Sequence, residues 1–98
     1  MTGRVAKTKP GASVFSYLDF GAAEAENLRI RSAMMRAIVA FVRKGELTQA
    51  RAAKLFSISQ PRISDLMRGK IHLFSIDNLV GLLAAAGLRV DVKIKKAA

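Results

Sequence analysis

Between Gln49 and Arg68 the segment QARAAKLFSISQPRISDLMR holds two helices of about two turns each, joined by a turn of only three residues. Helices this short are marginal alone, so the pair is stable only if the two cross steeply and close against each other. A steep crossing needs a small residue where the backbones touch, and Ala53 supplies it, flanked by Ala52, Phe56, Ile58, Ile63 and Leu66. Thr48 and Ser59 stand where N-caps belong, Pro61 lies in a first turn where its missing N–H costs little, and Gly69 provides a stop.

The flanking chain fits one small domain, since 98 residues leave no room for an interdomain cleft. From Glu24 to Lys44, Ile30, Met34, Ala37, Ile38 and Phe41 share one helical face, Met35, Val39 and Val42 widen it, and Gly45 offers a left-handed stop. Ser75 opens a further helix to Ala86, stopped by Gly87. Val14 to Phe20 is short and apolar and ends at Gly21, so it reads equally as a strand or a turn of helix. Leu88, Val90, Val92 and Ile94 alternate with Arg89, Asp91, Lys93 and Lys95, the period of one amphipathic strand. An isolated strand needs another edge. Two are available: residues 14–20, or the same strand of a second chain paired about Val90 or Val92. The expected fold is all-α, a helix-turn-helix bundle of four or five helices over residues 14–95, with its motif at 48–68 and a C-terminal β-strand used in dimerisation. Residues 1–13 read as a flexible basic tail.

In a helix-turn-helix the second helix enters the major groove of DNA. Its exposed positions here are Gln60, Arg62, Ser64, Asp65 and Arg68, and Ser59, which opens it, is counted with them as DNA-binding. Gln60 and Arg62 lie near its N-terminal end and are the types that bind adenine and guanine with two bonds each, so they are the base-reading candidates. Thr48 and Gln49, at the start of the preceding helix, and Lys70 beyond the second belong to the phosphate-facing surface. Seven basic and two acidic residues lie between Arg43 and Lys70, half of the formal +10 of the whole chain. A field of that sign attracts a polyanion.

The stretch LTQARAAKLFSISQPRISDLMRGKIHLFSIDNLVGLLAAAGLRVDVKI resembles the Cro/repressor (XRE) class of lambda-repressor-like helix-turn-helix proteins, and most closely the HigA-like antitoxins. The match runs from about Ala25 to Ile94, with LTQ, SQPRISDLMRGK and FSIDNL in order and in spacing. The resemblance implies a homodimer that represses its own promoter at a palindromic operator on double-stranded DNA. In the antitoxin branch it also implies binding of a small RelE-like ribonuclease toxin. Two positions depart from the pattern. Ser57 stands where members often carry Gly, which asks a serine to accept positive φ. Arg51 replaces a common Glu, removing a capping box while adding charge.

Other chemistry finds little support. There is no cysteine, hence no disulfide, thiol nucleophile or zinc finger, and the single histidine, His72, has no second ligand or neighbouring carboxylate. No Gly-rich phosphate loop or Ser/His/Asp set is present, so neither catalysis, a metal nor a cofactor is expected; His72 reads as a loop residue touching the DNA backbone. The longest apolar run, Leu79 to Leu88, is about half a membrane span and is broken by Gly81 and Gly87. With no secretory signal at its start, the chain is expected to be cytoplasmic and away from membranes. The basic ends, with Arg4, Lys7 and Lys9 on one side and Lys93, Lys95 and Lys96 on the other, fit groove-seeking arms and solubilising tails equally well. Two alternatives stay open: a toxin-binding interaction module with incidental DNA affinity, using Val14, Phe15, Tyr17, Leu18 and Phe20, and a stand-alone phage-type repressor.

Overall fold

A computed structural model of the protein describes the backbone of residues 10–96 and the side chains of residues 21–96. Four α-helices follow one another, α1 (Pro10–Lys44), α2 (Gln49–Phe56), α3 (Gln60–Met67) and α4 (Ile76–Ala85), with one 3₁₀ turn at Ile71–Leu73. Contacts divide the chain into Met1–Ile30 and Arg31–Ala98. Among the described residues no helix is long and apolar enough to cross a membrane.

In the first unit the described residues are the beginning of α1. The helix starts at Pro10, not near Glu24, so residues 10–13 of the expected tail and all of 14–20 are helical. Proline at a first helical position is preorganised in φ. Beyond it, Ala22, Ala23, Glu24, Ala25 and Glu26 are strong helix formers that carry the helix through Gly21, whose cost is about 1 kcal/mol. Glu26 pairs with Arg29 one turn later, a bond that holds its carboxyl below the usual range. The expected tail residues 1–9 and the apolar side chains of 14–20 lie outside the described residues.

In the second unit the core is built from Met34, Met35, Ile38 and Val42 of α1, Ala52, Ala53 and Phe56 of α2, Ile63 and Leu66 of α3, Phe74 of the following loop, and Leu79, Leu82 and Leu83 of α4. The Met34–Met35 pair is therefore core, whereas Ala37, expected on the inner face, is exposed. Helix α2 packs on both α3 and α4, and Phe56 meets Phe41 of α1 edge to face, with ring centroids 6.3 Å apart. Fully burying a side chain such as Ile63 or Leu66 stabilises by about 1.5–3 kcal/mol, which offsets the weakness of two eight-residue helices.

The C-terminal strand is not formed. From Leu88 to Lys96 the chain runs with no helix, turn or bend, every side chain is exposed, and no strand exists among the described residues. The reason lies in the partner: residues 14–20, the one internal edge open to it, belong to α1. A strand without an edge has no ladder to join.

Candidate nucleic-acid interface

Local capping sets the geometry of the motif. Thr48 Oγ1 accepts from the Arg51 N–H at 3.1 Å and Ser59 Oγ from the Arg62 N–H at 3.3 Å. Each cap satisfies a backbone donor the helix itself cannot, worth about 1 kcal/mol. Their hydroxyl hydrogens stay available, so both residues can also donate to a phosphate oxygen. Between the helices Ser57 sits in the left-handed region at φ 57° and ψ 43°, and its N–H and that of Ile58 close on Lys54 and Ala53 carbonyls. The departure at Ser57 is thus absorbed as backbone strain of about 1–2 kcal/mol, not as an altered turn. At the end of α1 the left-handed residue is Glu46, at φ 51°. Gly45, the expected stop, instead lies where a Cβ would stand 3.3 Å from the Phe41 carbonyl oxygen.

The nine expected site residues divide into two sets. Thr48, Gln49, Ser59, Gln60 and Arg68 are exposed and Ser64 is half-buried on α3. Among the described residues the side chains of Gln49, Gln60, Ser64 and Arg68 have no hydrogen-bonding or ionic partner within the chain. Arg68 shares a groove with Arg36 and Arg43 of α1, floored by Met35, Val39 and Met67, so the cationic surface continues from α3 onto α1.

The second set is engaged. Arg62 Nη1 donates to the Leu73 carbonyl at 2.8 Å, and its guanidinium carbon lies 4.0 Å from the centroid of the Phe74 ring. Asp65 pairs with Lys70, Oδ1 to Nζ, at 3.7 Å. Sequence reasoning missed Arg31 altogether. From α1 its Nη1 reaches the Ile71 carbonyl at 3.0 Å and that of Phe74 at 3.4 Å. Two guanidiniums thereby hold three carbonyls of the loop 71–74, and that loop presents the exposed His72 beside α3. The one available signal was a charge next to Ile30 and four positions before the last of the Met34–Met35 pair, on the flank of an apolar face. Among the described residues no three acidic or histidine side chains come together as a metal site would require.

Two short, capped helices packed on each other, with Ala53 buried in the first and free Gln, Ser and Arg side chains offered along the second and at its C-terminal cap within a basic surface, define a DNA-binding helix-turn-helix protein. Comparison with known proteins agrees. Residues 16–95 match the family model of the helix-turn-helix domain. A solved structure named as a putative XRE family transcriptional regulator superposes with a TM-score of 0.69 at 32% identity, over 76% of this chain and 83% of that one. The search of curated proteins finds no match. The chain belongs to the helix-turn-helix domain family, in its XRE class.

Proposed function

We propose that the protein is a sequence-specific transcriptional repressor that binds a palindromic operator as a homodimer, and that it acts as the autorepressing antitoxin of a type II pair whose toxin is a RelE-like ribonuclease. It works in the cytoplasm by binding alone, without catalysis. The observation that carries DNA recognition is the unpartnered row of Gln60 and Ser64 on α3 and Arg68 at its C-terminal cap, framed by the capped N-termini of α2 and α3. In this reading Gln60 reads a base near the helix start, Arg68 one near its end, and Thr48, Gln49 and Ser59 donate to phosphates. Arg62 is a positioning residue, because its guanidinium already holds the 71–74 loop. Two recognition helices related by a two-fold axis meet successive major grooves about 34 Å apart. The antitoxin role is supported by the resemblance of LTQ, SQPRISDLMRGK and FSIDNL to HigA-like proteins.

The test is fluorescence anisotropy against the duplex just upstream of the protein's own reading frame and a scrambled duplex of equal length, over a salt series. The native duplex is expected to bind tightly and selectively. With three to five phosphates neutralised by each protomer, its affinity should fall about 10³–10⁵-fold between 50 and 200 mM salt. Equal, weak binding to both duplexes would reject operator recognition and favour the interaction-module alternative. Co-expression with the neighbouring frame decides the antitoxin role: rescue of growth and co-purification support it, and a chain that represses with no toxin beside it is a stand-alone repressor.

A further inference from the structure

Beside its core face, α1 carries a second periodic row. Ser32, Arg36, Val39, Ala40 and Arg43 recur at spacings of three and four, next to the buried row of Met34, Ile38 and Val42. The second row forms one wall of a groove of about 580 Å³, and Met67, Arg68, Gly69 and Ile71 form the other, all within the second unit. Buried Met35 and half-buried Val39, Met67 and Ile71 make the floor apolar, and the short side chain of exposed Ala40 leaves it open. The guanidiniums of Arg36, Arg43 and Arg68 line this groove, and no carboxylate does. Among the described residues none of the three has an ionic or hydrogen-bonding partner. Like charges gathered without a counter-charge repel one another, so the groove lacks an anion that must come from outside the chain.

We propose that this groove binds an amphipathic helix of a partner protein, apolar on one face and acidic along its flank, and that the partner thereby takes Arg68 from the operator. The second clause rests on the operator reading above. Each part of the groove selects one feature of the occupant. A guanidinium matches a carboxylate with two parallel hydrogen bonds. Arg36 and Arg43 stand seven residues apart on α1, about 10.5 Å along its axis, so a single small carboxylate meets only one of them. A helix laid along α1 repeats with the same period and sets acidic residues seven apart against both. Its apolar face then rests on Val39 and Met67 between the arginines, the mode in which a hydrophobic groove takes a helix. Met35 and Met67 are flexible enough to fit the side chains they meet. A phosphodiester backbone would satisfy the arginines but leave the apolar floor in water, so DNA fits this groove less well than an acidic helix does.

The experiment titrates the full chain, free of DNA, into a labelled synthetic helical peptide of about four turns, with leucines on one face and glutamates seven residues apart along its flank. Fluorescence anisotropy should show saturable binding, weakened about tenfold or more when lysines replace the glutamates or serines replace the leucines. Equal binding of the lysine peptide would overturn the charge match, and equal binding of the serine peptide would overturn the role of the apolar floor. Arg36→Gln with Arg43→Gln should weaken the glutamate peptide about tenfold or more, and so should Ala40→Glu, which sets a carboxylate inside the groove. No binding to the wild type, or binding that neither variant weakens, would overturn the site. If the peptide does not bind and the double variant instead lowers the log–log salt slope on both duplexes by about one per arginine, phosphate is the occupant and the proposal fails. Saturating peptide should lower affinity for the operator about tenfold, through Arg68. Peptide binding with operator affinity unchanged would overturn the competition alone. Operator recognition is measured without peptide and the groove without DNA, so failure of either reads separately. Arg36, Ala40 and Arg43 are exposed, and unchanged helicity by circular dichroism verifies folding of the variants.

Discussion

The helical residues 31–87 and the segment 88–96 that follows them carry equally clear hydrophobic periods, yet only the first closes on itself. In α2, α3 and α4 every boundary has a local solution: Thr48, Ser59 and Ser75 accept from the N–H three residues on, Asn78 returns a bond to Ser75 N, and Gly69 and Gly87 take positive φ. The period of 3.6 then needs only neighbouring helices, which the same chain supplies. A period of two needs a foreign edge for its backbone as well as cover for its side chains, and within the described residues no such edge exists. The difference teaches that a helix is a local solution to the backbone's hydrogen bonding, whereas a strand is a demand made on another segment.

The comparison breaks most visibly in stability. Ile63→Ala, at a fully buried position of α3, should cost about 2–5 kcal/mol in chemical denaturation, whereas Ile94→Ser should change the same measurement by less than about 0.5 kcal/mol. A large loss at Ile94 would show that the segment is already packed within one chain. Next in size is a contrast between α3 and its C-terminal cap. Arg68→Ala should lose about 1–3 kcal/mol of binding on the operator and little on scrambled DNA. Arg62→Ala should instead lower folding stability by about 1–2 kcal/mol, through one charge-assisted hydrogen bond and one cation–π contact, and weaken both duplexes nearly equally. The reverse outcome would return base reading to Arg62. The smallest effect is at the turn: Ser57→Gly should raise stability by about 0.5 kcal/mol, the relief of positive φ less the added freedom of the unfolded chain, read as a small rise in melting temperature.

Much of the motif was legible because its signals are short-ranged. The cap hydroxyls, Pro61, the burial of Ala53 and the strain at Ser57 all depend on residues within about one turn. The start of α1 was not legible, because an apolar heptapeptide ending in glycine scores alike as strand and helix until the flanking alanines and Pro10 settle it. Of the candidate site, exposure at Gln60 and Arg68 follows from helical phase. The fate of Arg62 does not: it depends on Leu73 and Phe74, eleven and twelve residues away, and Arg31 reaches forty residues to the same loop.

The sequence by itself determined the class of fold, the position of the two motif helices and the basic character of their surface, because caps, helical phase and net charge are properties of residue order. Only the tertiary structure decided which arginine is anchored and which is free, that Asp65 is engaged by Lys70, and that the last nine described residues find no edge within the chain. Those outcomes turn on which distant groups arrive within about 3–4 Å of one another, and hydrogen bonds and ion pairs are effective only at that range.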